Sequence, residues 1–326
     1  MVSEWEVKKE ICELGRRMYV NGYVAANDGN ISFRMGDGRY LCTPTGVSKG
    51  FLKPGDIAVV DDKGKQLDGP LPRTSEVLLH LEIFHELPWV NAVCHAHPPH
   101  ATAFAVSGIP IPTGILPEVE IFIGQVPLAD YETPGSKNFA ETVLPHLKNK
   151  ANTILLANHG AVACDKSLLQ AYFHLETLDM YCKILLLSKQ VGNINRLPGQ
   201  KVKELLDIKS SLGLEDPRHE CTTEQCILAG SDEFLKGFSS SPIPQHNTSP
   251  DGHGRGLGIE GEPSQNGEPQ PMPKSFGQGT AMAAGRILHG SGSGKPGSSS
   301  TTAQRRTQED EIERVVQLVT DQIVGG

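Results

Sequence analysis

The chain has 326 residues, of which 38% are hydrophobic, and it carries a formal net charge of −8 at pH 7. This length can bury a sizeable core, but the sequence has no run of 18 apolar residues and no export signal at its beginning, so we expect neither a membrane span nor export. The acidic balance, without a basic face, also argues against a nucleic-acid partner.

Cysteine usage points to a reducing compartment. The 7 cysteines are scattered and none forms a C-x-x-C pair, a usage typical of reduced thiols in a cytoplasmic protein. Cys221 and Cys226 have four residues between them. We expect plain thiols at these two positions, not a metal pair.

Composition divides the chain into four parts. Residues 1–215 have ordinary hydrophobicity and form the folded domain, and residues 216–238 extend it. Residues 239–304 are rich in Gly, Ser and Pro, a composition that cannot bury enough apolar surface to fold and predicts a flexible linker. Residues 305–326 predict an amphipathic helix, whose apolar stripe is Ile312, Val315, Val316, Val319 and Ile323.

Helical and strand-like patterns alternate through the folded domain. An opening helix places Val7, Ile11, Leu14 and Met18 on one stripe. After it come a GNISFR/YLCT hairpin, a DIAVVDD strand, a TSEVLLHLEIFHEL helix, a NAVCHAH strand, a PPHATAFAVSG helix, the apolar segments VPLADY and TILLANHGAVAC, and a long helix beginning LLQAYFHLETLDM. This interleaving predicts an α/β fold with helices on both faces of a sheet.

Histidines at the end of one predicted strand are candidate metal ligands. His95 and His97 lie two residues apart in NAVCHAH, so both side chains project from the same face of the strand. The best third candidate is His159, where an apolar strand ends at Asn-His-Gly. The other histidines on predicted helices are expected to be structural: His80, His85, His100 and His174.

Small polar segments provide candidate anion contacts. Glu76 follows Thr74 and Ser75 at a predicted helix start; it is either a helix-capping residue or a functional carboxylate, and helix starts also bind phosphate. Two turn-forming loops fit a phosphate site as well, and their residues are Gly29 and Asn30, and Thr45 and Gly46. Neither loop matches a known nucleotide-binding fingerprint.

The motifs GNIS, TPTG, TSE, HAH and NHG, in this order, resemble the class II aldolase/epimerase/dehydratase family typified by L-fuculose-1-phosphate aldolase. The resemblance spans the folded domain and implies a three-layer α/β/α fold with a largely antiparallel central sheet, and a homotetramer with sites at subunit interfaces. It implies a Zn²⁺ held by His95, His97 and His159, with Glu76 as a resting ligand and the acid/base residue. The substrate phosphate would lie against Gly29, Asn30, Thr45, Gly46, Thr74 and Ser75.

The implied reaction cleaves L-fuculose 1-phosphate or L-rhamnulose 1-phosphate to dihydroxyacetone phosphate and lactaldehyde. A Zn²⁺ bound by neutral imidazoles keeps its positive charge for an enediolate, and a carboxylate can carry the proton. Alternatives are a ribulose-phosphate 4-epimerase, a methylthioribulose-phosphate dehydratase and a non-catalytic assembly module. The assembly module is disfavoured because the three histidines and Glu76 are all present.

The chain departs from the fuculose-phosphate aldolases on the aldehyde side. Those enzymes carry proton-donating tyrosines at positions that fall near Leu116 and Leu212. Glu118 and Glu120 are candidate replacements, or else part of a solvated strand edge. Glu120 also lies near an acidic catalytic residue of the epimerase branch.

The tethered helix at 305–326 resembles the encapsulation peptides that deliver enzymes into bacterial microcompartments. Its polar face is as acidic as it is basic and lacks Trp and Phe, which disfavours a membrane surface. The resemblance implies shell or cargo proteins as partners. The alternative is a tail that frays in solution, since an isolated helix this short is marginally stable.

Overall fold

The computed structural model describes residues 3–136, 138–228 and 232–236; the linker 239–304 and the helix 305–326 predicted from the sequence lie outside this part. None of the described helices is both long and apolar enough to span a bilayer. The helices are α1 (Glu4–Val20), α2 (Val77–Glu86), α3 (Pro99–Ser107), α4 (Pro117–Phe122), α5 (Phe139–Lys148), α6 (Leu168–Val191), α7 (Gly199–Ser211), α8 (Glu224–Ile227) and α9 (Asp232–Lys236).

A single eight-stranded sheet forms the centre of the fold, with strand order β4-β3-β2-β1-β5-β8-β7-β6. All neighbours pair antiparallel except β6 and β7, which are parallel. The strands are β1 (Asn30–Arg34), β2 (Tyr40–Cys42), β3 (Ala58–Val60), β4 (Gln66–Asp68), β5 (Ala92–Ala96), β6 (Leu128–Ala129), β7 (Thr153–Leu156) and β8 (Gly160–Asp165).

Different helices cover the two faces of the sheet. Along β5, Ala92 and Cys94 join an apolar cluster completed by α1, α3 and α6, whereas Val93 joins a second cluster with α2 and α5. Successive side chains of a strand point to opposite faces, so each face of the sheet has its own core. The largely antiparallel α/β/α fold expected from the resemblance is thus confirmed.

In the segment ILPEVEIF, the residues Pro117–Phe122 form helix α4, so the alternative of a strand edge is wrong for Glu118 and Glu120. Pro117 occupies the first turn of α4, where its fixed φ favours helix initiation. Glu118 is exposed, but Glu120 is fully buried. Its carboxylate lies 2.7 Å from Arg218 Nη1 and accepts a hydrogen bond from the Gly114 amide. Glu120 is therefore committed to an internal ion pair.

Charged residues join the segment after residue 215 to the domain. Asp216 pairs with Arg218 at 2.9 Å and with Lys209 of α7 at 3.0 Å, and all three side chains are only 4% exposed. Burial by itself raises the pKa of Asp216, but the hydrogen bond and charge of Arg218 lower it to about 2. Breaking a buried pair of this kind is strongly destabilising. The extension from 216 onward is therefore anchored on α4 and α7.

Cys221 and Cys226 form a disulfide, so the expectation of plain thiols is wrong for this pair. The turn between the short 3₁₀ helix Pro217–Glu220 and α8 brings their Cα atoms within 5.6 Å, a separation at which a disulfide closes without backbone movement. Sequence spacing alone does not reveal this approach. The remaining cysteines are free: Cys12, Cys42, Cys94, Cys164 and Cys182.

Candidate metal and phosphate site

Three neighbouring strands bring the predicted site residues to one end of the sheet. In the register of β1 with β5, Asn30 is opposite His95, and in that of β5 with β8, His95 is opposite Val162. His97 immediately follows the end of β5, and His159 lies in the turn that precedes β8. In an antiparallel pair, one strand ends at the edge of the sheet where its neighbour begins. Residues far apart in sequence therefore meet at that edge.

One ring nitrogen from each of His95, His97 and His159 lies within 4.8 Å of the others. The Nε2 atoms of His95 and His97 are 3.2 Å apart. Nitrogen atoms that converge in this way form the donor arrangement that a divalent cation takes from imidazoles. The structure therefore brings together the three histidines that the sequence singled out.

Hydrogen bonding orients the His95 ring. Its Nδ1 is 2.9 Å from the Ala161 carbonyl oxygen on β8, so Nδ1–H donates to that oxygen and Nε2 keeps its lone pair facing the other histidines. Burial lowers the pKa of His95 to about 3, and burial also lowers the pKa of His159. Both rings are thus neutral near pH 7, which is the state that binds a metal.

Asp28 is a site residue that the sequence analysis missed. Its Oδ2 lies 3.5 Å from Nδ1 of His97, on the opposite side of the ring from the Nε2 that faces His95. A carboxylate behind a metal-binding imidazole fixes its orientation and raises its basicity. The signal was present in the Asn-Asp-Gly-Asn loop, but nothing in the spacing connected that aspartate with His97.

We predict that Asp28→Asn weakens metal binding by about 10- to 100-fold, the usual effect of removing a carboxylate behind a ligating histidine. The amide keeps the shape of the side chain and removes its charge. Competition against a chromophoric chelator measures the affinity. Asp62→Asn, at an exposed position after β3, is the control, and equal affinities for the two variants would refute an orienting function for Asp28.

Glu76 faces the histidines and does not cap the helix. It lies just before α2, and its side chain makes no capping hydrogen bond. Oε2 is 3.4 Å from His95 Nε2 and accepts a 2.8 Å hydrogen bond from Asn30 Nδ2, and Oε1 is 3.8 Å from His159 Nε2. Burial by itself raises the pKa of Glu76, but His95 and the Asn30 hydrogen bond bring it below its usual value. The carboxylate is held ionised beside the three imidazoles.

A cavity of about 240 Å³ opens above these groups. Of the residues expected to hold phosphate, Gly29, Asn30, Thr45, Thr74 and Ser75 line it, whereas Gly46 is not among its lining residues. The Asn30 amide already donates to Glu76, so Asn30 orients the carboxylate. Lys49, which the sequence analysis also missed, lines the cavity with a side chain almost completely buried.

Two glycines allow the strand ends to approach closely. A Cβ on Gly29, whose φ is +70°, would lie 2.9 Å from the His95 carbonyl oxygen. A Cβ on Gly160 would lie 2.5 Å from the Ala96 carbonyl oxygen and 2.6 Å from Cδ2 of His97. Such distances exclude a side chain. The glycines of GNIS and NHG are therefore needed for the backbone contacts that assemble the site.

The histidines expected to be structural have partners elsewhere. His100 Nδ1 lies 2.9 Å from Asp179, and His174 Nε2 lies 2.9 Å from Asp165. His80, one turn after Glu76, is fully buried with Nδ1 2.7 Å from Ser32 Oγ. Burial lowers the pKa of His80 to about 4, so it remains neutral in the folded protein.

This neutral buried histidine predicts a loss of stability in acid. Below pH 6.5 the unfolded chain protonates His80, whereas the folded protein does so only near pH 4. Folding stability should therefore fall as the pH drops, with His80 accounting for about 2 kcal/mol between pH 7 and 5. Urea unfolding of the metal-free protein measures this. The loss should shrink in His80→Asn and persist in His85→Asn, an exposed control on the same helix; identical losses in both variants would exclude His80 as the cause.

Comparison with known proteins agrees with this geometry. The model of the family described as class II aldolase and adducin N-terminal domain matches residues 9–186. The chain is 36% identical over 181 residues to L-fuculose phosphate aldolase of Methanocaldococcus jannaschii, covering 56% of this chain and 96% of that protein. It is 34% identical over 186 residues to 3-oxo-tetronate 4-phosphate decarboxylase of Escherichia coli K12, covering 56% of this chain and 87% of that protein.

Among solved structures, YgbL of Escherichia coli superposes with a TM-score of 0.58 at 32% identity, covering 62% of this chain and 98% of that one. The family match extends over more than half of the chain and includes every residue of the cluster around His95. The relatives are a lyase of aldol type and a lyase of decarboxylating type. The chain therefore belongs to the class II aldolase and adducin family, and within it to the metal-dependent lyases.

Proposed function

We propose that the protein is a Zn²⁺-dependent aldolase that cleaves L-fuculose 1-phosphate or L-rhamnulose 1-phosphate to dihydroxyacetone phosphate and lactaldehyde. The observation that carries this proposal is the meeting of three imidazoles and one ionised glutamate at a cavity lined by small polar loops. Its similarity to an aldolase named for fuculose phosphate supports the substrate class.

The residues fit a divalent cation. His95 has Nδ1 occupied and Nε2 facing its neighbours, and the Glu76 carboxylate lies within 3.4 Å of that Nε2. Nitrogen donors suit Zn²⁺ well among divalent ions. When bound, the cation supplies Lewis-acid stabilisation of the negative charge that develops on the substrate oxygens.

Glu76 is the proton carrier in this scheme. Cleavage removes the proton of the C4 hydroxyl, breaks the C3–C4 bond and releases an aldehyde, which leaves an enediolate on the three-carbon fragment. A proton delivered to C3 completes dihydroxyacetone phosphate. Asn30 holds the carboxylate in place through Oε2, and Oε1 accepts no hydrogen bond in the described structure. A positioned carboxylate of this kind is suited to general acid/base work.

The phosphate end of the substrate lies among the loops that contain Thr45 and Thr74. Both are cavity-lining residues, and the Thr74 side chain is 6% exposed. The backbone joins the two loops, because Thr45 N–H donates to the Pro72 carbonyl and Thr74 N–H donates to the Thr43 carbonyl. Binding energy gained at this end of the substrate holds its reacting carbons in place.

The aldehyde side favours a second candidate, decarboxylation of a 3-oxo acid 4-phosphate. Leu116 and Leu212 stand near the positions where the fuculose-phosphate aldolases carry proton-donating tyrosines. The described residues that line the cavity include no tyrosine. Loss of CO₂ from such an acid also leaves the enediolate of dihydroxyacetone phosphate. Because no aldehyde is released, this reaction needs no proton-donating tyrosine on the aldehyde side. Relatives named 3-oxo-tetronate 4-phosphate decarboxylase support this reading.

One assay separates these reactions. A coupled dehydrogenase assay follows dihydroxyacetone phosphate release from L-fuculose 1-phosphate, L-rhamnulose 1-phosphate and 3-oxo-tetronate 4-phosphate, with and without chelator. An aldolase produces one lactaldehyde per dihydroxyacetone phosphate, and a decarboxylase produces one CO₂. Ribulose 5-phosphate and methylthioribulose 1-phosphate give no dihydroxyacetone phosphate in epimerisation or dehydration, so NMR analysis of their products tests for these two reactions. Full metal loading without turnover of any substrate would point to an assembly module.

The proposal includes a homotetramer and delivery into a bacterial microcompartment within the cytoplasm. The exposed apolar side chains of α6, Met180 at 52% and Leu187 at 48%, support association, which light scattering of the purified protein measures. The apolar stripe of 305–326 behind a Gly/Ser/Pro linker supports delivery. Deleting residues 305–326 should preserve turnover and abolish co-purification with shell proteins; a loss of turnover would contradict a separate tail.

A further inference from the structure

Lys49 is a buried lysine whose ammonium bonds to backbone and not to a carboxylate. Its side chain is 1% exposed, and Nζ donates 2.9 Å hydrogen bonds to the carbonyl oxygens of Asn27 and Val47. Its own backbone is packed against α1, since a Cβ on Gly15 would lie 2.6 Å from the Lys49 carbonyl oxygen. Burying an ammonium is costly. An uncharged polar side chain could link the two loops at a smaller desolvation cost, so a purely structural function does not account for a lysine here.

The bonded carbonyls belong to the two loops that surround the anion end of the cavity. Asn27 directly precedes Asp28 and Gly29, and Val47 directly follows Thr45 and Gly46. The loops are 20 positions apart in sequence, so the ammonium is a direct tie between them. An ammonium has three N–H donors, and the carbonyls use two of these. The third remains for an oxygen atom in the cavity that Lys49 lines.

Charge in the cavity singles out the same residue. The described residues that line it include the carboxylates of Asp28 and Glu76, three histidines and only one ammonium, that of Lys49. Burial lowers the pKa of Lys49 to about 8, although Asp28 and Glu76 oppose the shift, so most of the population is charged at pH 7. A phosphate dianion next to a carboxylate needs a compensating cation.

We infer that Lys49 is the cationic element of the phosphate subsite, tying the two loops together and donating its third N–H to a phosphate oxygen. The inference rests on the proposed phosphorylated substrate and adds a residue that neither the sequence motifs nor the histidine cluster identifies. The Lys49 ammonium bonds to the Asn27 and Val47 carbonyls and, among the described residues, makes no hydrogen bond to the three histidines or to Glu76. Its loss should therefore affect phosphate affinity and leave the metal site intact.

The test uses full-length, Zn²⁺-loaded protein and inorganic phosphate as the probe. Lys49→Met removes the charge and the donors, whereas Lys49→Gln removes the charge but keeps N–H donors, on a side chain one atom shorter. Calorimetry should give a phosphate affinity about tenfold or more below wild type for both variants, the usual loss for a hydrogen bond to a charged group. Metal stoichiometry should be unchanged. The control is Lys53→Met, at an exposed position four residues away, which should bind like wild type.

Steady-state kinetics give an independent readout. With whichever phosphorylated substrate the wild type turns over, Lys49→Gln should raise KM by about tenfold and change kcat much less, because the interaction is lost equally in the ground and transition states. Should both variants fail to fold, the wild type suffices: the ¹H–¹⁵N signal of Lys49 Nζ, assigned through its side-chain carbons, should shift when phosphate is added.

The outcomes are distinct. Folded variants that bind phosphate within twofold of wild type, or an Nζ signal that does not respond to saturating phosphate, overturn the inference about Lys49 while leaving the proposed function untouched. A wild type that binds no phosphate and releases no dihydroxyacetone phosphate overturns both. Reduced metal loading in Lys49→Gln also contradicts the inference, since it would place Lys49 in support of the histidines.

Discussion

Replacing His97 with alanine is expected to lower turnover by about 1000-fold or more and to reduce bound zinc to a small fraction of one ion per chain. Removing one of three imidazoles leaves a cation without the donor that faces His95 Nε2 at 3.2 Å. The Lewis-acid contribution lost in this way is several kcal/mol, and each 1.4 kcal/mol is about a factor of ten in rate. Metal analysis and the dihydroxyacetone phosphate assay measure the two effects separately.

His100 provides a matched control. The side chains of His97 and His100 are 28% and 34% exposed, and each lies beside one aspartate, Asp28 and Asp179 respectively. His100→Ala should retain zinc and keep turnover within about threefold of wild type, because His100 lies outside the histidine cluster and Asp179 keeps its hydrogen bonds from the backbone N–H groups of His100 and Ala101. Chelator treatment of wild type should abolish activity, and added zinc should restore it. Similar losses in both variants would mean that unfolding, not metal loss, explains the result.

Substitution of Glu76 by glutamine is expected to lower turnover by about 100- to 10,000-fold, the range typical of a lost general acid/base. Glutamine keeps the size of the side chain and an oxygen that can accept from Asn30 Nδ2, which now donates to Oε2. The loss should appear in kcat more than in KM, because proton transfer belongs to the chemical step. Zinc content should remain near wild type, since the three histidines are untouched.

Isotope exchange tests the assignment of the proton directly. Wild-type protein should exchange one C3 hydrogen of dihydroxyacetone phosphate with D₂O, because the enediolate forms from this product without any aldehyde, whereas Glu76→Gln should not. Glu82→Gln, an exposed position on the same helix, serves as control. Exchange by Glu76→Gln at the wild-type rate would assign proton transfer to another group, in either an aldolase or a decarboxylase.

The sequence by itself determined the fold class and the histidine cluster of the candidate site. Strand periodicity places His95 and His97 on one face, the break after the apolar strand identifies His159, and the helix start at α2 identifies Glu76. These signals are local, because the face of a strand and the beginning of a helix depend on a few neighbouring residues. The order of the five motifs indicated the family. The family resemblance in turn predicted the largely antiparallel sheet that brings these residues together.

Only the tertiary structure decided the contacts between distant segments. The sequence leaves Glu120 as a candidate catalytic acid. The structure shows instead that Glu120 is bound by Arg218, which is 98 positions away. In the same way, Asp28 behind His97, Lys49 between two loops, and the Cys221–Cys226 pair depend on how loops approach one another. Side-chain identity and spacing do not encode such approaches, because they are set by strand register and packing of the whole chain. The histidines could be read from the sequence because they lie in or directly next to strands β5 and β8, whereas Asp28 and Lys49 lie outside the strands and α-helices.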